Sequence, residues 1–86
     1  MSNEKDLSNP VMASVGAVLG RGPGQYAVAY VEEKESEIHG SVTFSIRDAW
    51  KGILPPKIGQ KVLLYDIQLF VKGWRAALAK PITPKQ

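Results

Sequence analysis

The stretch H-G-S-V-T-F-S-I-R-D-A-W-K-G-I-L-P-P-K-I-G-Q-K-V-L-L-Y-D-I-Q-L-F-V-K-G-W-R-A-A-L-A-K-P, His39 to Pro81, decides the fold. Its first segment extends back to Ile38 and alternates: Ile38, Gly40, Val42 and Phe44 share one face, and His39, Ser41, Thr43 and Ser45 share the other. That period of two predicts a strand over Ile38–Ser45. Ile46–Lys51 then reads as a single helical turn. Ser45 is placed to cap it, Asp48 stands where a capping box has its acidic residue, and Gly52 ends it. Ile46, with Ala49 or Trp50, is positioned to plug the bottom of a barrel. Pro55-Pro56 forces an extended connection. Lys61–Phe70 is a long strand, apolar on both faces near its start and therefore central. Lys72-Gly73 marks a turn, and Trp74–Ile82 is the last strand, with Trp74, Ala76, Leu78 and Lys80 on one face.

Upstream, Val11–Leu19 forms a first strand. Val11, Ala13, Val15, Ala17 and Leu19 make a uniformly apolar face, and Gly16 inside the run marks a bulge or sharp bend. Gly20-Arg21-Gly22-Pro23-Gly24 is a hairpin connection. Its spacing fits neither G-x-G-x-x-G nor the P-loop, and no long helix follows. Gln25–Val31 is the second strand. Its Tyr26–Val28–Tyr30 row is either a half-aromatic exposed surface or a core face with hydroxyls at the rim, and periodicity does not choose. Glu32–Glu37 is a charged loop. Four glutamates there hold water rather than a metal, since no Asp-x-Asp-x-Asp-Gly pattern accompanies them.

Five short strands with one short helical turn after the third predict a small all-β barrel. Closure removes the edges that invite aggregation. The expected organisation is a flexible tail over 1–10, one barrel domain over 11–82 and a short tail over 83–86. Eighty-six residues suffice for one small domain with a modest core. Apolar residues make up 44%, which argues for a folded chain. The absence of cysteine excludes a disulfide scaffold, cysteine zinc sites and thiol chemistry, and fits a reducing cytoplasm. No apolar run approaches the ~20 residues a membrane helix needs, so no membrane association is expected.

The single histidine, His39, has neither a second zinc ligand nor a nucleophile to serve. It reads as a surface histidine beside a turn. No catalytic residues, metal or cofactor are expected, and the chain does not read as an enzyme. Charge is distributed unevenly. Residues 1–43 carry three basic and six acidic groups, whereas residues 44–86 carry eight basic groups against Asp48 and Asp66 alone. This asymmetry is either an unevenly charged solvated surface or a patch that attracts a polyanion.

Three segments at matching intervals carry a family resemblance. Thr43-Phe44-Ser45 stands where cold-shock domains have His-Phe-Ser. Ile58-Gly59-Gln60-Lys61-Val62 is similar to their Glu-Gly-Gln-x-Val, and Lys72-Gly73-Trp74-Arg75-Ala76 to their final Lys-Gly-Pro-Gln-Ala segment. The chain from Val42 onward thus resembles the second half of a cold-shock domain. The resemblance implies a five-stranded OB-fold-like barrel that binds single-stranded nucleic acid on its second and third strands. The family's Lys-Gly-Phe-Gly-Phe-Ile motif falls on Gly24–Ala29, where only Tyr26 is aromatic. Ser41 and Thr43 replace Phe and His, so the stacking platform is reduced.

The expected function is a weak, sequence-tolerant module for single-stranded RNA or DNA. Tyr26, Phe44 and Trp74 are the candidates for base stacking, worth ~1–3 kcal/mol each. Core packing is the competing role for Phe44 and Trp74. Arg47, Lys51, Lys61, Lys72 and Arg75 are the candidates for phosphate contact. The alternative is an adaptor barrel that has lost nucleic-acid binding and holds a protein partner, or a second copy of itself as a homodimer.

Overall fold

The structure, a computed structural model, describes residues 10–32, 38 and 40–82. The expected tails over 1–9 and 83–86, the acidic run Glu33–Glu37 and His39 lie outside the described residues. Five strands form one closed all-β barrel: β1 Val11–Leu19, β2 Tyr26–Val31, β3 Ser41–Ser45, β4 Lys61–Phe70 and β5 Gly73–Pro81. Around the barrel they run β1-β2-β3-β5-β4 and close back onto β1. All pairings are antiparallel except the short β3–β5 seam, where Val42 lies beside Trp74 and Thr43 beside Arg75. This is a small OB-fold-like barrel in class.

The strand boundaries differ slightly from the expected ones. β2 starts at Tyr26, one residue late, and β5 runs from Gly73 to Pro81. β3 starts at Ser41 because Gly40 takes a φ of 101°, which breaks extended pairing. Ile38 is still buried in the core. The connection after β1 contains a 3₁₀ turn, Gly22–Gly24, in which Gln25 N–H donates to the Gly22 carbonyl.

Inward residues follow the alternation in most strands and break it at two places. Val11, Ala13 and Val15 face the core as expected. The register then slips between Val15 and Ala17, the bulge that Gly16 signals. Beyond it Val18 turns towards the core, while Leu19 is exposed, which corrects the expected single apolar face of β1. In β4 and β5, Leu64 and Ile67 are both core residues, as are Ala76 and Ala79. Their spacing of three replaces the expected spacing of two. Asp66 causes the change: it takes a left-handed φ of 55°, and the ladder skips the position between Tyr65–Leu78 and Ile67–Ala76. Aspartate tolerates that conformation better than most residues.

The helical turn after β3 closes the bottom of the barrel. Ala49 N–H donates to the Ser45 carbonyl, and the Ser45 hydroxyl accepts from Asp48 N–H at 3.0 Å, so Ser45 caps as read. Ala49 and Trp50 enter the core and Ile46 packs partly against it. Trp50 stacks on Phe44 with centroids 5.7 Å apart and planes at 19°. Among the described residues no polar or charged side chain is buried, and no helix is long and apolar enough to cross a membrane.

Candidate nucleic-acid interface

The outward face of β2 and β3 resolves the ambiguity over the tyrosines. Ala27 and Ala29 fill the core positions of β2, so Tyr26 and Tyr30 point outward, 39% and 53% exposed. Their neighbours on β3 are Ser45 and Ser41, with Val28 opposite Thr43 between them. The small core alanines are the physical reason for this arrangement. The space inside β2 is already filled by Phe44 and Val42 from β3, both fully buried, and leaves no room for a tyrosine ring.

An open groove of about 1030 Å³ lies at one end of this face. One wall is the 3₁₀ turn and the start of β2, Pro23 to Tyr26. The floor is β3 from Thr43 to Ser45. The other wall is the β4–β5 hairpin, Phe70 to Ala77. That hairpin turns through Val71-Lys72, with Phe70 opposite Gly73. Gly73 takes a φ of 128°, a conformation that side-chain-bearing residues rarely adopt. Its turn carries Lys72, Trp74 and Arg75 to the groove edge.

The groove brings together five of the expected residues, Tyr26, Lys72, Trp74 and Arg75 at its walls and Phe44 under its floor. Trp74 is half-buried, and its carbonyl accepts a long 3.4 Å hydrogen bond from the Thr43 hydroxyl across the parallel seam. The Arg75 guanidinium lies over the Phe70 ring, 5.6 Å from its centroid. Phe44 does not belong to the stacking set. It is 0% exposed beneath the groove floor, because even positions of β3 face inward and Trp50 covers its ring.

Three expected cations lie outside the groove. Arg47 is exposed on the turn whose Asp48 and Ala49 line the groove margin. Lys51 lines a separate hollow beyond that turn. Lys61 begins β4, about 30 Å along the strand from Phe70, and is paired with Glu32 at 2.7 Å. The Ser14 hydroxyl also donates to the Glu32 carboxylate. The bond from Lys61, and then that from Ser14, hold the Glu32 carboxyl below its ordinary range.

Phe70 is the groove residue that the sequence reading missed. It ends the long strand β4, whose far half pairs with β5 alone, since β1 reaches only Lys61–Leu64, and Leu69, Phe70 and Val71 are exposed. Among the described residues Asp48 contributes the one carboxylate at the groove margin, against the cations Lys72 and Arg75. Among the described residues no cluster of histidine, aspartate and glutamate could hold a metal ion.

No family model, curated protein or solved structure matches this chain.

Proposed function

We propose that this barrel is a binding module, not an enzyme, and that its groove holds single-stranded nucleic acid weakly and with little sequence preference. The observation that carries the reading is the convergence of Tyr26, Phe70 and Trp74 with Lys72 and Arg75 around one open groove. Exposed rings beside free cations suit a ligand that alternates flat bases with phosphates. The strand-two and strand-three face with its flanking loops is where OB-type barrels bind oligonucleotides, and the groove uses that face and those loops. The resemblance to cold-shock domains points the same way. With fewer rings than that family displays, the affinity is low and rests heavily on charge.

Tryptophan fluorescence tests this directly. Trp74 borders the groove, and Trp50 is a buried internal reference. Titrating the full chain with single-stranded DNA and with RNA at low salt gives saturable quenching, which disappears in Trp74→Phe. The logarithm of the affinity falls against the logarithm of salt with a slope of ~−0.7 for each phosphate neutralised. Unchanged fluorescence with excess oligonucleotide of both kinds refutes the proposal.

A further inference from the structure

A second surface lies at the opposite end of the β4–β5 hairpin, on the other side of the turn that carries Asp48 and Ala49 to the groove margin. It is a hollow of about 790 Å³ between the loop after Trp50 and the end of β5. Ile53 is 99% exposed, and Leu54 and Ile58 are 67% and 71% exposed. Lys51 and Lys57 line the same hollow, and among the described residues no acidic one does.

The backbone that carries these aliphatic side chains is held firmly. Trp50 Nε1–H donates to the Leu54 carbonyl at 2.8 Å, which ties the loop to the core. Gly52 lies against the Trp50 ring so closely that a Cβ would come within 2.6 Å of it. Lys51 N–H donates to the Ala79 carbonyl, and Gly59 N–H to that of Val15. Gln60 closes the far end of the loop, its side-chain oxygen accepting from Lys57 N–H and its own N–H donating to the Lys57 carbonyl. A loop fixed in this way presents its aliphatic residues already ordered, which lowers the cost of binding.

We infer that this hollow docks an acidic, apolar peptide segment of a partner protein, in which leucine-like or aromatic side chains cover Ile53, Leu54 and Ile58 while carboxylates meet Lys51 and Lys57. Charge complementarity selects this occupant. A nucleic-acid strand would find cations but no exposed ring to stack on, since Trp50 is buried. A second copy packed symmetrically would set lysines against lysines. A lipid surface is disfavoured because the site is concave and has two lysines, fewer than the roughly four to eight basic residues of lipid-binding clusters.

A peptide library displayed on phage and selected against the full chain supplies the test. Enriched sequences interleave Asp or Glu with large apolar residues. A fluorescein-labelled synthetic copy of one binds the wild-type chain, loses about tenfold or more in affinity with Ile53→Asp, and weakens with Lys57→Glu. Ile53→Ser, a neutral change at a fully exposed position, gives the same direction and leaves oligonucleotide titration of the groove as in wild type. Failure to enrich any sequence, or enriched peptides indifferent to both Ile53 variants, overturns the inference. So does an Ile53-dependent dimer by light scattering, or Ile53-dependent binding to phosphatidylserine vesicles without peptide binding.

Discussion

The guanidinium of Arg75 lies 5.6 Å from the centroid of the Phe70 ring, two neighbours across the β4–β5 hairpin whose side chains meet outside the barrel. At an exposed site such a contact is worth about 0.5–1 kcal/mol, too little to matter for folding and enough to orient both groups. If the groove binds nucleic acid, Phe70 offers a base platform and Arg75 a phosphate contact or a second stacking plane. Phe70→Ala is expected to weaken oligonucleotide binding by ~1–3 kcal/mol, with the salt slope unchanged. Arg75→Ala lowers the salt slope by ~0.7, and Arg75→Lys restores that slope without restoring full affinity. Equal salt slopes for all three variants count against this division of roles.

Asp48 is the discordant group at the groove margin. Its backbone N–H caps onto the Ser45 hydroxyl, and asparagine retains that bond. A carboxylate about 8 Å from a phosphate in water costs roughly 0.5 kcal/mol. Asp48→Asn is therefore expected to tighten oligonucleotide binding about twofold at low salt, with the gain vanishing as salt rises. Weaker binding by this variant places Asp48 in contact with the ligand instead of in repulsion against it.

Phe44 separates a core role from a ligand-binding role. Its ring is fully buried and stacked on Trp50. Phe44→Ala is expected to destabilise the chain by ~3–5 kcal/mol in urea unfolding, much of what a small domain has. Phe44→Leu keeps most of the volume, costs less, and should bind oligonucleotide as well as wild type wherever it is folded. A folded Phe44→Leu with lost binding would return the residue to the stacking set.

The legible part of this molecule is what a period of two and turn chemistry determine. All five strands, the Ser45 cap, the Trp50 plug and the Gly16 bulge could be read from the chain because each depends on local pattern. What could not be read depends on the other strand of a pair. Periodicity treats the two faces of β2 as equivalent. Only the bulk of Phe44 and Val42 across the ladder decides that Ala27 and Ala29 go in and the tyrosines out. Phe70 was not singled out for a related reason: its exposure follows from β4 extending past its β1 partner, a property of the closed sheet. Lys61 and Lys72 look alike in sequence. The structure separates them because Glu32 sits beside Lys61.

That ion pair has an acid-side signature. Glu32 is held below its ordinary value of 4.5 by hydrogen bonds from Lys61 and then Ser14. A carboxyl depressed in the folded state contributes stability that is full above its unfolded value and is lost as pH falls through the folded one. The melting temperature should decline below about pH 4.5, and Glu32→Gln should flatten part of that decline without changing the plateau near pH 7 by much, since exposed pairs contribute little. Lys61→Ala should flatten the same limb and leave oligonucleotide binding in the groove intact. Identical acid limbs for wild type and Glu32→Gln would show that other carboxylates carry the effect.

Gly16 and Tyr30 give a test of the barrel wall whose sign depends on context. A Cβ at Gly16 would come within 2.2 Å of the Tyr30 ring, so the exposed ring must swing away to admit it. The backbone at Gly16 has no left-handed strain, so this contact is the obstacle. Gly16→Ala alone is expected to destabilise by about 1 kcal/mol, the low end for inserting a methyl where the neighbour can move. In a Tyr30→Ala background the obstacle is gone. Alanine then has its ordinary advantage over glycine within a strand, about 0.5–1 kcal/mol, and the same substitution stabilises. A double-mutant cycle in urea therefore yields a coupling of roughly 1.5–2 kcal/mol, obtained as the difference of those two effects. Simple additivity would mean that Tyr30 does not lie over Gly16 in solution.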